Sequence, residues 1–347
     1  MYKAIKAYGH DVWIVASSSN QSGKGGTTVY TTERNLTADT EFGIVKAGQP
    51  SVGPDPIDSH IWYYNGTPSA AVQIGLDYVL PRYANFTTPD LVMAGPNYGT
   101  NLGGYVYTLS GTMGATYLAI NRGIPAISFS GAYSVQTPYY EVNTTTTAGL
   151  KDPATITGEL CADLVQSMII GTNGSKLLPT AYGLNVNIPY ITSFKNDSCV
   201  NPPFIHTRLT GGADTDIAVY DETTGLFDWG NIVSAGANTC INGDCSLPGE
   251  TVVLSSGCQS SVSVFTVDYD APSCSGSQGV RTSLGPIVQY QNATTLVGGL
   301  NITGNGTASA TGSAVTASAS SYPISVASGL NHNLALGFIG LFMAILF

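Results

Sequence analysis

Charge is what this sequence has least of. Asp, Glu, Lys and Arg make up 10% of its 347 residues, against about 25% in ordinary soluble domains. Polarity has to come from Ser, Thr, Asn and Gly, which suits an exported, glycosylated surface better than a cytosolic one. Twelve Lys and Arg against 22 Asp and Glu leave a formal net charge of −10. So acidic a surface repels a phosphate backbone, which excludes polymeric nucleic acid as a partner and leaves a small phosphorylated molecule open. No apolar run reaches the roughly twenty residues of a membrane-spanning helix. Zinc-finger spacing is also lacking: Cys240 and Cys245 have no His pair after them, which argues against a structural zinc. Residues 1–9 (MYKAIKAYG) lack the charged-then-apolar layout of an export signal. They read instead as the back of an amphipathic helix, with Ile5 and Tyr8 at helical spacing and Gly9 as its stop. The expectation is of a chain that starts inside a structural element, as from a truncated gene.

Six cysteines are present, and five of them, Cys199, Cys240, Cys245, Cys258 and Cys274, crowd into a loop-like stretch; Cys161 stands apart. An even number in an oxidising compartment predicts at least two disulfides in that stretch, with the pairing left open. Sequons at Asn35, Asn65, Asn85, Asn143, Asn173, Asn196, Asn292, Asn301 and Asn305 point to the same compartment. Beyond Arg281 no Asp, Glu, Lys or Arg occurs. Residues 301–333 are a Gly/Ser/Thr/Ala stalk, too poor in apolar surface to fold. Residues 334–347 (LALGFIGLFMAILF) then form an apolar tail. Small residues at Ser318-Ala319-Ser320, a polar spacer and this tail fit a cleaved GPI-attachment signal; a tail anchor is the alternative. The expected localisation is secreted or cell-surface, with the membrane reached through that C-terminal anchor.

Residues 1–300 read as one domain in which helices alternate with short apolar strands. Strands are expected at 12–16, 90–94, 124–130 and 183–189, and helices at 69–80, 110–122 and 157–171. That alternation predicts an α/β fold, a doubly wound, mostly parallel sheet, with a loop- and strand-rich extension after 200. Ligands of such sheets bind beyond the carboxyl ends of the strands, where the Ser/Gly loop 17–28 and the Gly/Asn loop 95–104 fall.

A series of motifs runs in order along the chain: Gly9-His10-Asp11-Val12, Asn20-Gln21-Ser22-Gly23, Gly66-Thr67-Pro68, Pro89-Asp90-Leu91-Val92, Asn97-Tyr98-Gly99-Thr100-Asn101, Ser110-Gly111-Thr112-Met113-Gly114, Gly123-Ile124-Pro125-Ala126 and Leu184-Asn185-Val186-Asn187. With Ser261–Val264 they resemble the SurE family of phosphatases and nucleotidases, whose fold is Rossmann-like. The resemblance implies a metal-dependent phosphomonoesterase, an acid phosphatase or nucleotidase, acting on nucleoside monophosphates or other small phosphate esters. It implies a divalent cofactor, Mg²⁺ or Mn²⁺, with Ser22 and Asn97 among its ligands. Asn101 and the turn Ser110, Gly111 and Thr112 correspond to the phosphate contacts. Family members often pair, which adds a homo-oligomer to the expected partners. Hydroxyl and amide oxygens suit a hard cation, and Ser110 opens a helix whose free N–H groups can hold a phosphate.

The family's two adjacent metal-binding Asp, in an Asn-Asp-Asp-Gly stretch on a first, central strand, have no counterpart here. Asp221-Glu222 is the one adjacent acidic pair, far downstream, and Asp214 and Asp216 are as misplaced. Without that strand two strand edges would lie open, so the chain as written is expected to be unstable or inactive. The competing expectation is a non-catalytic, GPI-anchored surface glycoprotein built on the same scaffold.

Overall fold

Strands form here where β-branched and small apolar residues alternate or run unbroken, and helices where Ala- and Leu-rich stretches follow a cap. A computed structural model describes residues 1–132, 136–211, 215–232, 239–271, 275–284, 286–288 and 343–346. Along the chain these give α1 (Tyr2–Ala7), β1 (Trp13–Ser17), β2 (Val52–Pro54), β3 (Ile61–Tyr64), α2 (Pro68–Ile74), α3 (Leu80–Tyr83), β4 (Val92–Tyr98), α4 (Val106–Leu109), α5 (Gly111–Asn121), β5 (Ala126–Gly131), α6 (Pro153–Thr172), β6 (Tyr182–Ile188), β7 (Phe204–Thr207), β8 (Thr215–Asp221), β9 (Leu226–Ile232), α7 (Glu250–Ser255), β10 (Ser260–Thr266), α8 (Ser275–Leu284) and β11 (Met343–Leu346). Two compact units result. Of the described residues, those up to 268 and 343–346 belong to the first, and α8 belongs to the second.

The first unit is a nine-stranded sheet in the order β2-β3-β1-β11-β4-β5-β6-β10-β7, with β8 and β9 as a separate antiparallel pair. Neighbours β1 and β3, β4 and β5, β5 and β6, and β7 and β10 run parallel. The other four pairings are antiparallel. Successive strand residues face opposite ways, and the core divides accordingly. Trp13, Val15, Val92 and Ala94 pack on one side with Val72, Met113 and Ala119 of α2 and α5. Ile14, Met93, Ile127 and Phe129 pack on the other with Ile5 of α1 and Leu160 and Val165 of α6. Tyr8, expected beside Ile5, is 47% exposed and donates to Asp163 instead.

The edges of β1 and β4, expected to lie open, are both paired. Between them runs β11, antiparallel to each, with Ala344 opposite Val15 on one side and Ala94 on the other. Residues 343–346 of the apolar tail are therefore an interior strand of the sheet. The rest of the tail, the stalk at 301–333, the sequons Asn292, Asn301 and Asn305, and Asp214 lie outside the described residues. Among the described residues no helix is long and apolar enough to cross a membrane. Cys199 pairs with Cys258 and Cys240 with Cys245, while Cys161 is a buried free thiol; Cys274 lies outside the described residues.

Candidate active site

Both sequence-predicted loops leave the carboxyl edge of the sheet, one from β1 and one from β4. These strands are separated by β11 alone, which at the usual strand spacing puts them about 10 Å apart. In the β1 loop, Asn20 Oδ1 accepts from the Ser22 N–H at 2.8 Å, a tight turn that leaves Ser22 exposed. The loop then returns to the helices: Gly25 N–H donates to the Leu109 carbonyl at 3.1 Å. A Cβ on Gly114 would stand 2.2 Å from the Gly25 oxygen, so this contact is backbone on backbone and requires the missing side chain. The Ser22 loop is thus held against the start of α5.

That start is built as expected. Ser110 caps α5, its Oγ accepting from Met113 N–H at 3.2 Å. Gly111 and Thr112 lie in the first turn, where N–H groups lack intrahelical partners and the helix dipole is positive. The Thr112 hydroxyl is buried and has no hydrogen-bond partner. Ser17 Oγ, at the end of β1, is also buried and unpartnered.

In β4 the expected loop begins later than Gly95, because the strand continues to Tyr98 through an irregularity between Ala94 and Asn97. Gly95 has φ +103°, and a Cβ there would meet the Phe129 carbonyl at 2.1 Å. Bulges of this kind re-aim a side chain. Asn97 comes opposite Ser130, and its Nδ2 donates to the carbonyls of Tyr98 and Gly99 at 3.1 and 3.0 Å. Both amide protons are spent, and Oδ1 is left as an acceptor.

Asn101 is gripped from below. Its N–H donates to Asn187 Oδ1 at 2.7 Å and its Nδ2 to Ser130 Oγ at 2.7 Å. Its carbonyl accepts from Asn185 Nδ2 and Asn187 Nδ2, both at 2.9 Å. Asn185 and Asn187 were legible as motif residues without a role, and Ser130 only as the end of an expected strand. Glu250 was not legible at all. It is fully buried, taking Gly103 N–H on Oε2 at 2.8 Å and Asn185 Nδ2 on Oε1 at 2.9 Å. Burial pushes its carboxyl up to about 7, against hydrogen bonds from Gly103, Ser263 and Asn185. Glu41 was also missed. Its N–H donates to the Ser18 carbonyl at 3.0 Å, and burial raises its carboxyl against a hydrogen bond from Gln136. Nothing in the spacing of either residue signalled its place.

Ser22 and Asn97 offer neutral oxygens. Among the described residues no group of three or more His, Cys, Asp or Glu is placed to hold a metal ion. Charge count governs the affinity of hard cations, so the donors present do not by themselves fit a firmly bound Mg²⁺ or Mn²⁺. A cavity lined by His10, Asp90, Pro125 and Lys176 opens where the strands begin, at the edge opposite these loops.

A family model described as survival protein SurE matches residues 1–210. An acid phosphatase of Yarrowia lipolytica is 44% identical over 275 residues, which cover 78% of this chain and 75% of that protein. A 5'-nucleotidase SurE of Methanocella arvoryzae is 31% identical over 190 residues, 54% of this chain and 60% of that protein. The crystal structure of SurE from Aquifex aeolicus superposes with a TM-score of 0.51 at 20% identity, covering 81% of this chain and 92% of that one.

Proposed function

The chain belongs to the SurE family, and from that premise we propose that it is a phosphomonoester hydrolase, acting on nucleoside monophosphates or similar small esters at the loops after β1 and β4. The observation that carries the site is the opening turn of α5. Thr112 presents a buried hydroxyl with no partner, between first-turn N–H groups, at the carboxyl edge of the sheet. A phosphate monoester answers each of these groups: its oxygens accept from the N–H groups and from the Thr112 hydroxyl. The Gly25 contact with Gly114 holds the Ser22 loop against this turn, and the Asn97 loop leaves the same edge of the sheet.

The divalent ion implied by the resemblance would polarise the phosphoryl oxygen and activate water. Ser22 and Asn97 alone do not hold it, so the roles assigned here are those of the chain's own groups: binding and orienting the phosphate. Two disulfides and exposed sequon residues such as Asn35 and Asn143 support a working place outside the reducing cytosol.

Release of inorganic phosphate from nucleoside monophosphates, measured with Mg²⁺, with Mn²⁺ and with chelator, tests the activity. Thr112→Val removes one hydrogen bond at nearly constant shape, and kcat/KM is expected to fall about tenfold. Asn97→Ala is expected to fall further. Undiminished turnover in both variants would refute the site.

A further inference from the structure

Asn97 at the end of β4 and Asn101 in the loop after it belong to one stretch, the Asn97–Gly103 loop, and what fixes its end lies far away in sequence. We propose that Glu250 is a positioning residue for hydrolysis, holding the Asn97–Gly103 loop in its working geometry through the Gly103 N–H and the Asn185 side chain. This rests on the phosphomonoesterase reading above and adds a role to a residue outside both loops.

The geometry is a closed chain of hydrogen bonds. Oε2 of Glu250 takes the Gly103 N–H, so one carboxylate oxygen pins the loop's end directly. Oε1 takes Asn185 Nδ2, which also donates to the Asn101 carbonyl. The Asn185 Nδ2 faces two acceptors, the Asn101 carbonyl and Glu250 Oε1, which fixes the orientation of the amide, and its Oδ1 lies 2.9 Å from the Ser128 hydroxyl. Asn187 completes the grip on Asn101, accepting from its N–H and donating to its carbonyl. Glu250 therefore acts at two points of one loop. It is presented by the first turn of α7, behind β10 and β6, where it touches no open site surface. An acidic side chain with no exposed surface is costly to bury, and the fold bears that cost at a position where both oxygens serve this loop. Small displacements of positioning groups are enough to cost a hundredfold in rate.

The test compares wild type, Glu250→Ala and Glu250→Gln, with kcat and KM expressed per folded molecule well below the unfolding midpoint. Gln offers one carbonyl oxygen and can satisfy Gly103 or Asn185, but not both. The expected order of kcat is wild type, then E250Q down a few-fold, then E250A down roughly 10- to 100-fold, with KM within about twofold. Amide exchange in a peptide spanning 99–106 is expected to quicken in the same order. If E250A does not fold, E250Q decides alone. A variant with wild-type kcat and unchanged exchange overturns the proposal, because a purely structural role alters the midpoint and leaves turnover per folded molecule intact. Absence of phosphate release by the wild type, with 99–106 exchange still quickened in the variants, counts instead against the phosphomonoesterase reading.

Discussion

Glu250 and Cys161 are both fully buried, and burial raises the pKa of both. Burial pushes the Cys161 thiol up to about 12, so it stays neutral and packs as a small apolar residue. Burial pushes the Glu250 carboxyl from 4.5 up to about 7, opposed only by hydrogen bonds, with no charged neighbour among the causes. A shift of that size corresponds to ~3 kcal/mol. The native state holds the proton more tightly than the unfolded one. Its contribution to stability is therefore complete below the unfolded value and is lost as pH rises through the folded value. Wild type is expected to lose up to ~3 kcal/mol relative to E250Q between about pH 5 and 7.5, read from urea midpoints at each pH; parallel curves for the two proteins would contradict this. Only packing from β6, β7 and β10 turns Glu250 inward, and no local pattern encodes it.

Among the elements, α5 ties the site together, and its own composition shows how. Gly114 lies inside the helix, where Gly costs ~1 kcal/mol relative to Ala. Helix propensity alone favours Gly114→Ala. The added Cβ, however, would meet backbone atoms of Gly25 and Gly26 at 2.2 to 2.7 Å, and overpacking of that kind costs about 1–3 kcal/mol. Crowding outweighs propensity, so the variant is expected to be less stable and to push the Ser22 loop off the helix. Lower kcat/KM and a lowered thermal midpoint are the measurements; a rise in midpoint would mean the loop moves freely. Elements such as α5 were legible because a Ser cap, an apolar face and a Gly stop coincide at Ser110 and Gly123. The start of α6 was readable and missed: Asp152 caps it, accepting from Ala154 N–H, and Pro153 occupies its first turn. β4 runs three residues past its expected loop start because the chain kinks at Gly95 without ending the pairing with β5. Sequence marks the kink but not whether pairing resumes. Of the site, the loop residues Ser22, Asn97, Asn101 and Ser110 to Thr112 were readable as motifs. Their supports, Asn185, Asn187, Ser130 and Glu250, acquire a role only when distant strands are laid side by side.

At the scale of the whole molecule, the sheet depends on β11, which joins its two parts. Removing residues 343–346 would leave β1 and β4 each with an unpaired edge where two ladders now run. The truncated protein is expected to melt at lower temperature and to self-associate, as seen by scanning calorimetry and size-exclusion chromatography. A monomer with an unchanged midpoint would show that β11 is dispensable. The same placement sets two fates of the apolar tail against each other. A tail removed after Ser318-Ala319-Ser320 cannot also supply β11, and the intact mass of the mature protein separates the two.

That arrangement also reaches back to the ribosome. Translation must proceed from Tyr98 to Met343 before β11 can join β4 to β1, and at about 5–20 residues per second this takes on the order of tens of seconds. Through that interval the nascent chain carries two half-sheets that cannot join, each with a sticky border. Its yield in a cell should therefore follow chaperone supply far more closely than the settled stability of the finished protein would suggest.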